Sequence, residues 1–165
     1  MTRFDPPDAG LRASRRPTLS LKGRALKYLA AREHSRVELT RKLAPHAESP
    51  EQVSQVLDEL EQKGWLSAQR FAESMLHRKA ARYGAARLKA ELAQHQLPAE
   101  VASEATQTLR DTEFERAHAL WVRRFGTPPE TPEDKARQMR FLLGRGFASD
   151  VVRRVVRGDG LVTDA

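Results

Sequence analysis

The sharpest chemical signal in the sequence is a run of cations without acids. Between Glu73 and Glu91 stand Arg78, Lys79, Arg82, Arg87 and Lys89, and no carboxylate. Arg78 and Arg82 are four apart, a spacing that shares one helix face. Arg87 and Lys89 follow the glycine at 84. A second acid-free run places Lys135, Arg137, Arg140 and Arg145 ahead of Asp150. Guanidinium and ammonium groups in such runs bind phosphates, or the carboxylates of an acidic protein groove. A solvated helix face is the plainer reading of either run, and both readings stand at this level. Tyr83 is the one aromatic close to the first run, too little interleaving for sequence-specific recognition of stacked single-strand bases. Trp65 and Trp121 read as packing residues.

Other chemistry is poorly represented. His34, His46, His77, His95 and His118 are scattered and form neither H-x-x-x-H nor H-E-x-x-H. No phosphate-cradling glycine loop or nucleophile elbow occurs, and Gly144-Arg145-Gly146 reads as a helix stop. With no cysteine in the chain, disulfides, thiolate metal sites and a thiol nucleophile are excluded. No metal, cofactor or catalytic set is therefore expected, and the chain does not read as an enzyme. Its net charge of +7 favours a polyanionic partner. The longest uncharged stretch, Leu92 to Ala99, falls far short of the roughly 20 apolar residues that span a bilayer. No membrane association is expected, and the N-terminus lacks an apolar segment of signal-peptide length, so a cytoplasmic location is expected.

These side chains must be positioned by helices. Apolar residues recur at helical spacing (Leu39 and Leu43; Val53, Val56, Leu57 and Leu60; Leu88 and Leu92; Val151 and Val155), and no run alternates with period two. Ser35-Arg36-Val37-Glu38, Ser49-Pro50-Glu51-Gln52 and Thr112-Glu113-Phe114-Glu115 have the form of capping boxes. Thr131-Pro132 and Ser149 are further N-caps. Gly64, Gly84 and Gly126 supply stops through positive φ. Helices are predicted over about 21–31, 36–43, 50–63, 68–82, 85–94, 98–109, 113–125, 132–143 and 150–157.

The pattern also repeats. Leu43, Val53 and Leu57 align with Leu92, Val101 and Ala105, and then with Leu142, Val151 and Val155; Leu97 corresponds to Phe147. Chance alignment in a Leu/Val/Ala-rich helical chain is the competing explanation. Read as a repeat, the pattern gives an all-α, elongated array of three tandem three-helix units. The divisions are a basic disordered tail over 1–18, units over 19–66, 67–110 and 111–158, and a C-terminal tail over 159–165. The middle unit is the most basic, with seven cations against four acids.

Several segments resemble the RecX family of regulatory proteins. Ala25 to Leu39 resembles its opening repeat, as does Leu57-Asp58-Glu59-Leu60-Glu61-Gln62-Lys63-Gly64-Trp65-Leu66 followed by Arg70-Phe71-Ala72. Arg82-Tyr83-Gly84-Ala85-Ala86-Arg87-Leu88 and Leu142-Leu143-Gly144-Arg145-Gly146-Phe147 resemble two later signatures. The chain departs from the family pattern at Ser67-Ala68, Ala85 and Gly144, all in turns between helices. The resemblance implies three tandem three-helix units that bind the groove of the RecA filament on single-stranded DNA. It implies reduced recombinase, ATPase and coprotease activity, in DNA repair and the SOS response. The partner expected is the RecA filament, with single-stranded DNA close by, and the chain is expected as a monomer. Contacts are then expected from Arg78, Lys79, Arg82, Arg87 and Lys89, with Arg137, Arg140 and Arg145 in support. The competing function is a direct DNA-binding regulator of helix-turn-helix type over Ser35 to Leu66. Its would-be recognition helix, however, carries Glu51, Asp58, Glu59 and Glu61 against Lys63, and phosphate would repel it.

Overall fold

A computed structural model describes residues 18–160. Of the expected tails, over 1–18 and 159–165, residues 1–17 and 161–165 lie outside the described residues. Nine α-helices and no strand occur among the described residues. They are α1 (Leu21–Ala31), α2 (Arg36–Leu43), α3 (Pro50–Gln62), α4 (Ala68–Lys79), α5 (Ala85–Ala93), α6 (Ala99–Asp111), α7 (Glu113–Arg124), α8 (Pro132–Gly144) and α9 (Ser149–Arg157), with a short 3₁₀ turn at Ala44–His46. The bounds agree with the sequence reading to within about a turn, and α4 shows the largest difference. It ends at Lys79 rather than Arg82, so Arg82 and Tyr83 stand in the link to α5.

Each set of three helices closes on its own apolar core. Leu39, Leu43, Val53, Leu57 and Leu60 fill the first. Phe71, Met75, Leu88, Leu92 and Leu109 fill the second. Trp121, Leu142, Phe147, Val152 and Val155 fill the third. Of the nine repeat anchors, eight are buried; Val101 is the exception and is half-buried. Counted from the first residue of α1, α4 and α7, the fifth position is alanine in every unit: Ala25, Ala72 and Ala117, all buried. Its small side chain lets the first helix of a unit pack closely on the third.

The helix ends follow side-chain chemistry. Ser35, Ser49, Ser67 and Thr131 accept hydrogen bonds from the amides of Glu38, Gln52, Arg70 and Asp134. Gly64, Gly126 and Gly146 have positive φ, which glycine adopts without steric cost. Three expectations are corrected. Thr112 caps nothing with its side chain; its hydroxyl donates to the Thr108 carbonyl, because α6 runs almost directly into α7. Ala148, not Ser149, stands at the N-cap of α9. Gly84 stops no helix by positive φ; it sits at the N-cap of α5 with φ of −79°.

Gly84 is needed for a different reason. Its amide donates to the Arg145 carbonyl at 2.8 Å. A Cβ there would overlap the backbone of Gly146 and Phe147. A Cβ on Gly146 would in turn lie 2.5 Å from the Arg87 Cβ. Units two and three thus meet backbone against backbone. The first turn of α7 completes the joint. Glu113, 5% exposed, accepts on Oε1 from the amides of Ala85 (3.3 Å) and Ala148 (2.9 Å), at the N-termini of α5 and α9. One turn on, Arg116 donates to the carbonyls of Ala80, Tyr83 and Leu109, at or near the C-terminal ends of α4 and α6. Acid at two helix N-termini and base at two C-termini match the helix dipoles.

Three substitutions test this joint by urea denaturation. Gly84→Ala is expected to cost about 3 kcal/mol, because the overlap is with backbone that cannot swing away. Glu113→Ala is expected to cost about 2 kcal/mol through two unpaired amides. Glu113→Gln, which keeps an acceptor oxygen, is expected to cost less.

Candidate functional site

Units two and three bring the second half of the first cationic run beside the second run. The link between α4 and α5 half-buries Tyr83, and three guanidinium groups surround its ring. The Cζ atoms of Arg87, Arg82 and Arg145 lie 3.9, 5.6 and 5.6 Å from the ring centroid. Arg145 also lies 5.2 Å from the Phe141 ring, and Arg124 lies 5.5 Å from it on the adjoining helix. Phe141 and Phe125 pack edge to face at 5.5 Å. Arg137 and Arg140 line the same groove as Arg124, Phe125 and Phe141. The result is a continuous surface of arginines laid on half-buried rings. Cation–π attraction of roughly 0.5–2 kcal/mol per pair holds such a group in place while leaving its N–H edge free. Among the described residues, no carboxylate lies within 4 Å of the charged nitrogens of Arg82, Arg87, Arg124, Arg140 or Arg145.

Arg78, Lys79 and Lys89 stand apart from this surface. Lys79 is ion-paired with Glu91, and Arg78 donates to the Ser74 carbonyl one turn back. Both line the cleft between units one and two rather than the ring-backed surface. Lys89 is exposed on α5 and no aromatic ring backs it. Arg137 pairs with Asp134 at 3.3 Å. Sequence reasoning missed Arg124, Phe125 and Phe141, and it undervalued Tyr83. A signal existed: Arg82-Tyr83-Gly84 and Arg124-Phe125-Gly126 are the same basic–aromatic–glycine triplet, each following the first helix of a unit. The expectation that both tryptophans are packing residues holds for Trp121 only. Its ring is fully buried and Nε1 donates to Gln138 at 2.8 Å. Trp65 is 46% exposed, with the Lys63 and Lys22 ammonium groups over its ring.

The joint between units one and two is made of side chains. Ser35, at the N-cap of α2, shares a hydrogen bond with His95 Nδ1 at 2.7 Å while accepting from the Glu38 amide. Glu38 does not reach back to the Ser35 amide as the capping-box reading expects; its carboxylate pairs with Arg32 at 2.6 Å and stands 3.6 Å from His95 Nδ1. Serine, histidine and glutamate here do not form a nucleophile–base–orienter chain. Serine and glutamate approach the same ring nitrogen, and Ser35 is completely buried. Arg70 reinforces the joint through Glu33 and the Gly64 carbonyl. Burial holds the pKa of both His34 and His95 below the ordinary value of 6.5. For Glu38, burial pushes upward, but the hydrogen bond and charge of Arg32, with His34 and His95, outweigh it and lower its pKa.

Fold and surface together define the class: a tandem three-helix-repeat protein with an arginine-rich, ring-backed face. Three family models match in order: RecX first three-helix domain over residues 22–60, second over 69–105 and third over 111–156. The chain belongs to the RecX family. It is 58% identical over 145 residues to a protein of Leptothrix cholodnii named regulatory protein RecX, covering 88% of this chain and 92% of the relative. A namesake from Ralstonia pickettii is 55% identical over 150 residues, covering 90% and 94%. The fold is similar to the crystal structure of RecX from Lactobacillus salivarius. The TM-score is 0.70 at 18% identity, over 86% of this chain and 96% of that one. No helix among the described residues is long and apolar enough to cross a membrane.

The depressed histidines set a pH dependence. In the unfolded chain they bind protons near pH 6.5, whereas in the folded chain they do so only at lower pH. Over that window the unfolded state holds more protons, so stability falls as pH falls. The melting temperature is expected to drop between pH 7.5 and pH 5.5. The drop is expected to shrink in His95→Gln, whose amide can hydrogen-bond Ser35 as donor or acceptor without titrating.

Proposed function

We propose that the chain is a cytoplasmic, non-enzymatic regulator that binds the RecA filament on single-stranded DNA and restrains its recombinase, ATPase and coprotease activities. The observation that carries this reading is the acid-free row of arginines backed by Tyr83, Phe125 and Phe141 across units two and three. A filament of protein on DNA is long, helical and densely anionic. A surface that reaches over two rigidly joined units can meet more than one repeat of such a partner, and linked weak contacts then add through effective concentration. Membership of a family whose relatives are named regulatory protein RecX supports the same conclusion.

Within this reading the contacts come chiefly from Arg82, Arg87, Arg124, Arg140 and Arg145. Arg78, Lys79 and Lys89 contribute less, because they lie off the ring-backed surface or are already paired. The helix-turn-helix alternative draws little support from α3, whose Glu51, Asp58 and Glu61 are exposed. Asp58 and Glu61 also hold Arg36 in ion pairs.

The test is hydrolysis of ATP by RecA on single-stranded DNA, with the chain titrated in. The parent chain is expected to inhibit. Arg87→Glu combined with Arg145→Glu is expected to raise the concentration for half inhibition about tenfold while the helical circular dichroism and melting temperature stay unchanged. Equal potency of the double variant removes this surface from the function. A parent chain without effect removes the function itself. Raising salt from about 50 to 200 mM is expected to weaken filament binding, since the surface acts through screened charge.

A further inference from the structure

The middle unit differs from its neighbours along the seam between its first and third helices. At the ninth position of α1, α4 and α7 stand Leu29, Leu76 and Trp121. At the matching place on the third helices stand Leu57, Ala105 and Val155. Unit one fills its seam with a completely buried leucine, and unit three fills its own with a completely buried tryptophan and a valine. Unit two has only Leu76 and Ala105, and Leu76 is half-buried. The missing volume appears as a groove between α4 and α6. Ala72, Leu76, Val101 and Ala105 line it, and Glu73 and Glu104 are on its lining too, one from each helix. The groove holds about 120 Å³. For scale, an apolar cavity of roughly 150 Å³ accepts one benzene.

The charge beside this groove is opposite to that of the rest of the unit. Glu73 and Glu104 are exposed and form no ion pair among the described residues; Glu73 receives only the Gln69 amide, at 3.2 Å. Glu33, Glu38, Glu59 and Glu91 each pair with a cation, whereas Glu51, Glu100, Glu115 and Glu133 form no ion pair among the described residues either; what sets Glu73 and Glu104 apart is the apolar groove between them. An apolar floor between two free carboxylates repels phosphate and attracts a basic segment with an apolar anchor. We propose that this groove seats a protein segment that presents one apolar side chain between basic residues. Resting on the function proposed above, the segment belongs to a protomer of the filament. The chain then meets a nucleoprotein with two unlike surfaces. The arginine row takes its anionic part, and the groove takes a basic part of the protein itself.

Ala105→Leu places in unit two the side chain that unit one carries at the same position. It closes the groove and is expected to leave the melting temperature equal or higher. It is expected to raise the concentration for half inhibition of filament ATP hydrolysis about tenfold. Glu73→Lys with Glu104→Lys, two exposed sites, is expected to lose a similar factor, and this arm stands even if the leucine variant folds poorly. A photo-crosslinker at Thr108 of the full chain is expected to capture a RecA peptide with basic residues on both sides of an apolar one. Parent-like inhibition by folded Ala105→Leu overturns the groove alone, as does a crosslink to DNA, to a second copy of this chain or to nothing. A parent chain that leaves hydrolysis unchanged overturns the filament reading for both surfaces.

Discussion

A single carboxylate, that of Glu113, stands at the point where two three-helix units become one body. It is buried, and one of its oxygens receives backbone amides at the starts of α5 and α9, helices from different units. Left without that acceptor, two amides would face a low-dielectric contact with no partner. Arg116, on the same helix face one turn later, does the reverse for carbonyls at or near the ends of α4 and α6. One turn of α7 therefore neutralises four helix termini. The backbone contact of Gly84 with Gly146 and Phe147 is possible because neither glycine carries a Cβ. Close approach and satisfied termini depend on each other, since the glycines bring together the ends that the two charged residues then serve.

The arginine surface follows from this joint. Tyr83 belongs to unit two and Phe141 to unit three, yet Arg145 lies against both rings. It can do so because the Gly84 amide donates a hydrogen bond to the carbonyl of that same residue. A rotation between the units would separate the rings and scatter the guanidinium groups. The surface is thus a property of two units held rigidly, and neither carries it alone. The first unit is attached differently. Ser35, His95, Glu38 and Arg70 join it to the second through side chains, beside two histidines whose pKa burial lowers. One joint is thus made by backbone contacts and the other by side chains.

Helix periodicity and caps made nearly every helix legible from the residues in order, because both are local: a serine or threonine accepts an amide three residues on, and a leucine stripe needs only its own helix. Errors arose where a residue's surroundings overrule its local pattern. Thr112 fits a capping box, but α6 continues almost unbroken into α7 and leaves no end to cap. Glu38 fits the same box, but Arg32 and His95 claim its carboxylate. Gly84 fits a positive-φ stop, but its role is set by residues more than sixty positions away. Trp65 looks like core and lies at the surface.

By itself the sequence determined the all-helical class and the threefold repeat, since both rest on spacing within about fifty residues, and its motifs carried the resemblance to the family. It also supplied the two cationic runs. Only the tertiary structure decided which cations act together. It withdrew Lys79 into an ion pair, left Lys89 alone, and added Arg124, Phe125 and Phe141. Charge order along a chain records which residues are free of neighbouring acids. Whether their side chains share a face depends on how helix ends from separate units are brought together, and that is settled by buried carboxylate, guanidinium and backbone contacts that no local pattern encodes.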